Sequence, residues 1–349
     1  MQNAKLPTIR DIARQARVSE TTVSLSFREE SRISPPTRKR ILALARRLKY
    51  APNRQARLLR LGQNKLLGIL VNDITNPFYA LMVQQAQRLA EAHGYEMLIA
   101  DSQWQAERET AQIEIMLQSR VAGVLACFCE KTQASRTLLK RFSMPFVALD
   151  TCPPGHSGPV VINDLAGAAR LAAAHLSEVG CRRPVFFTAQ EGMAAFSAFR
   201  ILRQEFMRAA RARGLTFSAK RVLQAGLTVQ AGQDAFALMS GTIPDADGIF
   251  CANSLCALGV LDAADRAGVR VGRELKLIGV DDLDFCRLGR ISLTTIRQPY
   301  EKLVERALPE LLSAMKDRRR PAARISLQPE LIVRHSTVNL ERGTVHAEY

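Results

Sequence analysis

The sequence predicts an α/β protein built in two parts, a small all-helical head followed by a large region of parallel sheets covered by helices. Three observations predict it. Residues 1–62 hold 3 Lys and 12 Arg against 4 acids, a net of +11 out of +16 for all 349 residues, so the other 287 carry only +5. Within that basic stretch the apolar residues recur at helical spacing. From Leu66 onward, short apolar runs alternate with longer helical stretches, the signature of β-α units in an open parallel sheet. A chain of this length also exceeds one ordinary core, so two or three domains are expected.

In the head, Thr8 followed by Asp11 forms a capping-box pattern, with Asp in place of Glu. Ile9, Ile12, Ala13 and Ala16 then share one helical face. The chain must turn at Arg17-Val18 before a second cap at Ser19, and Val23 and Phe27 give the next helix its buried side. Ser34 before Pro35-Pro36 marks a third helix, striped with Ile41, Leu44, Ala45 and Leu48. Its other face carries Arg38, Lys39, Arg40, Arg46, Arg47 and Lys49. Alone, such a run reads as a solvated helix face. Beside a helix-turn-helix pattern these cations are expected to meet phosphates, while the second helix lies in the major groove of DNA.

Residues 52–62 are short and basic and end in Gly62. Pro52 and Asn53 start a helix and Gly62 stops it, but about nine residues are marginal as an isolated helix in water. A plain linker is the simpler alternative.

The strands expected beyond this point are 66–71, 96–100, 122–126, 146–149, 184–187, 248–250 and 275–280. The helices between them are 77–93, 106–119, 164–179, 195–213, 230–240, 253–267 and 299–316. These are too many strands for one modest sheet, so two lobes are expected, with a ligand crevice at the carboxyl ends of the strands.

Composition narrows the function classes. No apolar run reaches the roughly 18 residues that span a bilayer, and Met1 to Arg10 has no apolar signal region, so a cytoplasmic location is expected. The seven Cys show no C-x-x-C spacing and read as buried, reduced thiols. There is no G-x-S-x-G elbow, no P-loop and no G-x-G-x-x-G opening a helix, and the five His are scattered. Neither enzymatic activity nor a metal or cofactor is expected.

The head carries a specific resemblance. Thr8-Ile9-Arg10-Asp11-Ile12-Ala13, Val18-Ser19, Thr22-Val23-Ser24, Arg32-Ile33-Ser34, Thr37-Arg38, Tyr50-x-Pro52-Asn53 and Leu59-Arg60-x-Gly62-Gln63 resemble the LacI (lactose-repressor) family of bacterial transcription regulators. Asn53-Arg54-Gln55-Ala56 and Pro77-Phe78-Tyr79-Ala80 resemble, less closely, its maltose-regulon branch. The resemblance implies a repressor of carbohydrate-metabolism genes that binds a pseudo-palindromic operator as a homodimer. It implies base-reading positions at Glu20, Thr21 and Leu25, and phosphate or base contacts at Thr22 and Ser24. Thr8, Ser19, Arg28, Arg32, Asn53, Arg54 and Ala56 complete the implied DNA surface, with Leu59 as a minor-groove wedge from a hinge helix. Glu20 could accept from cytosine N4, or could simply favour a helix N-terminus as an acid. Two departures stand out: Arg17 fills a turn position that favours Gly, and Phe27-Arg28-Glu29-Glu30 replaces the usual Leu-Asn-Gly.

The resemblance further implies domains at 1–52 (helix-turn-helix), 53–65 (hinge) and 66–349 (effector binding and dimerisation). The last resembles a periplasmic sugar-binding protein, with one lobe at about 66–162 and 292–325 and the other at about 163–291 and 326–340. Implied effector positions are Asn76, Phe78, Tyr79, Asp150, one or both of Arg200 and Arg203, Asn253, Ser254 and Asp282. Phe78 and Tyr79 read equally well as core or interface. Ser254 stands where relatives carry Asp, and with two candidate arginines this suggests an anionic carbohydrate or sugar-phosphate effector. No leucine heptads follow Glu341, so a dimer rather than a tetramer is expected. The competing reading is an architectural DNA-binding protein that responds to no effector.

Overall fold

The computed structural model describes residues 7–27, 33–48, 50, 64–130, 133–193, 196–317 and 321–338. The chain falls into two units that meet at Asn64 and Lys65. The head contains α1 (Ile9–Ala16), α2 (Glu20–Ser26) and α3 (Pro35–Arg47) around a core of Ile12, Ala13, Ala16, Val23, Ile41 and Ala45. The Thr8–Asp11 capping box is formed in both directions. Ser19 caps α2 by accepting from the Thr22 N–H at 3.1 Å. Arg17 takes the left-handed conformation, φ 50° and ψ 48°, that the turn requires. For a residue with a Cβ that costs about 1 kcal/mol.

Among the described residues the large unit has two six-stranded sheets. The first runs β11 (Arg324–Leu327), β5 (Val160–Asn163), β4 (Phe146–Asp150), β3 (Val124–Ala126), β1 (Leu66–Val71), β2 (Glu96–Asp101). The second runs β12 (Glu330–Ile332), β10 (Thr294–Arg297), β9 (Lys276–Asp281), β8 (Gly248–Cys251), β6 (Pro184–Thr188), β7 (Val222–Gln224). The two orders are the same order repeated. Every described pair is parallel except β10–β12. The central strands are buried on both faces, which explains why they are apolar throughout rather than alternating. Phe186, Phe206 and Phe250 fill the second lobe, with ring centroids 5.0–5.8 Å apart.

The helix Val229–Thr242 lies against the helix Ser254–Arg266 at backbone contact. A Cβ on Gly232 would come 2.0 Å from the Cys256 carbonyl oxygen, and one on Gly259 would come 1.9 Å from that of Val229. Only glycine allows this approach.

The chain crosses to the second lobe after Asn163, returns after Arg297 and crosses again after Leu327. At the second crossing, expected at about 292, β10 hydrogen-bonds to β9 in the second sheet, and the return to the first lobe begins with the helix Tyr300–Lys316 and continues through β11. All seven Cys are free thiols, and all but Cys152 are buried.

Candidate DNA surface and ligand cleft

In the head, α2 buries Val23 and Ser26 and leaves Glu20, Thr21, Thr22, Ser24 and Leu25 partly or fully exposed, next to exposed Thr8 and Ser19. One contiguous helix face thus combines a carboxylate, hydroxyls and one apolar side chain, the mixture that distinguishes base edges in a major groove. Glu20 is already engaged, since Arg10 Nε donates to its carboxylate at 3.1 Å.

The basic face of α3 divides differently from expectation. Arg38 Nε donates to the Ser26 carbonyl at 3.0 Å, Arg40 to the Ala16 carbonyl at 3.1 Å, and Arg47 to Gln15 Oε1 at 3.3 Å. Arg38 and Arg40 satisfy open C-terminal carbonyls of α2 and α1, and Arg47 adds a side-chain bond to α1, so the three cations tie α3 to the other two helices. Lys39 and Arg46 remain exposed. Arg28, Arg32, Lys49, Asn53, Arg54, Ala56 and Leu59 lie outside the described residues.

In the large unit, the ends of β4, β5, β6 and β9 hold buried polar groups. Asp150 closes β4 and accepts from Asn163 Nδ2 at 3.0 Å and from the Tyr79 hydroxyl at 3.2 Å. Asp281 closes β9 and accepts from Gln298 Nε2 at 2.7 Å. Both aspartates have left-handed backbone, φ 67° and 97°, a strain of a kind that clusters at ligand sites. Burial raises the Asp150 pKa above the ordinary carboxylate value. Burial, reinforced by the Asp150 charge, raises Asp281 to about 7. Tyr79 also meets Trp104 edge-on, and Trp104 stacks on Phe196 at 5.2 Å and leans on Phe199 at 5.8 Å. The cleft is bridged a second time by the Glu130 carboxylate, which accepts from the N–H of Ser197 (2.7 Å) and from its hydroxyl.

Several expected effector positions prove structural. Ser254 is fully buried and donates to the Val280 carbonyl. Asn253 caps the helix Ser254–Arg266, accepting from the Cys256 N–H at 2.9 Å and donating to the Leu227 carbonyl at 2.8 Å. Asn76 caps the helix Pro77–Ala92. Asp282 is locked by Arg334 at 2.7 Å and the Thr295 hydroxyl at 2.8 Å, so Asp281 and not Asp282 confronts the other lobe. The helix Ser197–Ala212 turns Phe199, Leu202 and Phe206 inward, which leaves Arg200 exposed and Arg203 half-buried. The buried charges at the strand ends are the carboxylates of Asp150 and Asp281, which by themselves do not suit an anionic effector. Sequence reasoning missed Trp104, Asn163, Thr188 and Gln298; only Trp104, the one Trp in the chain, carried a compositional signal.

The comparisons agree with this geometry. Residues 8–53 match "Bacterial regulatory proteins, lacI family", and residues 173–337 match "Periplasmic binding protein-like domain". The chain is 28% identical over 334 residues to the HTH-type transcriptional repressor PurR of Pasteurella multocida, covering 95% of this chain and 98% of that protein. It is 28% identical over 333 residues to the ribose operon repressor of Escherichia coli K12, covering 95% and 100%. A LacI-family regulator from Silicibacter pomeroyi shares the fold at a TM-score of 0.81 and 21% identity, covering 95% of this chain and 100% of that one. The lac repressor dimer bound to operator and an anti-inducer shares it at 0.78 and 22%, covering 96% and 100%. The chain thus joins a lacI-family helix-turn-helix head to a periplasmic binding protein-like unit, and it is similar over nearly its full length to repressors with the same two parts.

Proposed function

We propose that the protein is a sequence-specific, DNA-binding transcriptional repressor that acts as a homodimer on a pseudo-palindromic operator, and that a small metabolite in the inter-lobe cleft controls its grip. The observation that carries this reading is the pairing of an outward recognition face on α2 with buried, incompletely bonded polar groups at the strand ends of the body. The relatives named above are an HTH-type transcriptional repressor and a ribose operon repressor, which supports small-molecule metabolism as the regulated class. Thr8, Ser19, Thr22 and Ser24 position the head on phosphates, while Glu20, Thr21 and Leu25 read bases. Arg28, Arg32, Asn53, Arg54, Ala56 and Leu59 extend the surface through the hinge into the minor groove. Ligand and operator are linked by population shift: whichever lobe arrangement the ligand prefers sets operator affinity, with a coupling of typically about 1–3 kcal/mol. Such a protein works in the cytoplasm, on the nucleoid. Footprinting on genomic fragments tests the reading. A discrete, two-fold-symmetric protected stretch is expected; uniform protection would instead identify an architectural protein.

A further inference from the structure

The two lobes repeat one device at equivalent strands. In the first lobe, Asp150 at the end of β4 is held by the amide of Asn163 at the end of β5. In the second, Asp281 at the end of β9 is held by the amide of Gln298, one residue past β10. Each amide uses its NH2 on the carboxylate. Its carbonyl oxygen, Asn163 Oδ1 or Gln298 Oε1, is buried without a partner. The hydroxyl of Thr188, at the end of β6, is likewise buried and unbonded. The exposures of Asn163, Gln298 and Thr188 are 5%, 8% and 1%. A buried polar atom without a partner costs about 1–3 kcal/mol, and three at equivalent sheet ends mark a site built for something else to complete.

The chemistry of that partner follows from the inventory. The open groups are two amide oxygens and one hydroxyl, beside two carboxylates close enough for the charge of one to disfavour ionisation of the other. No cation is bonded to Asp150 or Asp281 among the described residues; Arg334 and Arg297 are taken by Asp282 instead. The aromatic wall of Tyr79, Trp104 and Phe196 adjoins Asp150 through the Tyr79 hydroxyl. Acceptors, negative charge and aromatic faces together suit a cation with several N–H donors. A neutral polyol could donate its hydroxyls to the same oxygens but would leave the charge of the two carboxylates unbalanced, and an anion would add to it.

We propose that the cleft ligand is a small organic cation, a protonated amine such as an amino sugar or a diamine, held between the Asp150–Asn163 and Asp281–Gln298 pairs with Thr188 as a further partner. This rests on the cleft being the effector site. The test is calorimetric titration of the full chain with glucosamine, galactosamine, putrescine and agmatine, against glucose, galactose and 1,4-butanediol as neutral counterparts and gluconate and glucose 6-phosphate as anions. At least one amine is expected to bind, with its neutral counterpart at least tenfold weaker. Asp281→Asn and Thr188→Val should each weaken that amine at least tenfold. Thr188→Val removes only an unbonded hydroxyl, so it folds even if the aspartate variant does not. Failure of every amine to bind at about 10 mM, or equal or tighter binding of a neutral or anionic probe that Asp281→Asn abolishes, overturns the cation class and leaves the cleft intact as a site. Amine binding indifferent to both substitutions overturns the cleft itself.

Discussion

The head and the body solve opposite electrostatic problems. The first 62 residues carry a net +11 and turn hydroxyls and a carboxylate outward on one short helix. The body is near neutral for its size and turns its unusual polar groups inward, to the strand ends where the lobes meet. A charged surface that faces water waits for a large, highly charged partner whose counterions are released on contact. A buried set of unpaired acceptors waits for a small partner that replaces the water it excludes. One chain therefore has two partners of different size and sign, and they need never touch.

The sharpest way to break that comparison is to unfold the head alone. Among the described residues its core is six buried side chains, and Ile12→Ala truncates one at a cost of about 2–5 kcal/mol. Operator binding should be lost while the main calorimetric transition of the body stays in place; a body that melts early would deny the two units their independence. Next comes Glu109, buried in the body and accepting from the Cys129 N–H and the Ser135 hydroxyl. Burial lifts its carboxyl from 4.5 to about 7. The folded state thus keeps a proton that the unfolded chain sheds, so stability falls as pH rises from about 4.5 to about 7 and is level above. Glu109→Gln lacks this slope, and the gap between the two proteins in denaturant unfolding should change by up to roughly 3 kcal/mol across that window. A constant gap would show that Glu109 titrates normally. A smaller effect belongs to the hinge. Leu59→Ala should weaken operator at least tenfold, about 1.4 kcal/mol, with less DNA bending in a gel assay; unchanged affinity and bend would remove the wedge. The smallest concerns the strained turn. Arg17→Gly relieves a left-handed residue and should stabilise the head by up to about 1 kcal/mol. A lower head melting temperature would mean that the arginine side chain outweighs its backbone strain.

Most of the head was legible in the sequence because its signals are local. The Thr8–Asp11 box, the Ser19 cap and the stripe through Ile12 and Ile41 each depend on residues a few positions apart. Most of the buried central strands were legible for the same reason, but β5 and β10, four residues each and ending in a polar side chain, were not. Edge strands such as β11, Arg-Ile-Ser-Leu, and β7, Val-Leu-Gln, were not, because half-exposed strands carry no apolar run and form only where a neighbour offers its edge. The short helix Ala134–Arg141 was missed as well. The cleft was the least legible part. Asn163, Gln298 and Thr188 look ordinary one at a time, and only the repeated strand order brings each to the end of an equivalent strand. Asp281 and Asp282 are neighbours in sequence; what separates their roles is Arg334, which lies far along the chain and claims one of them. Arg38 and Arg40 looked like phosphate ligands because helix C-terminal carbonyls leave no trace in a charge count.

The central claim, a basic head that reads a particular duplex stretch, is tested most directly by competition between a footprinted genomic site and its scrambled sequence as salt is raised. At roughly physiological salt the genomic site should bind at least about 10³-fold tighter than the scramble, with the difference persisting as both affinities fall. Equal affinities at every salt concentration would contradict it.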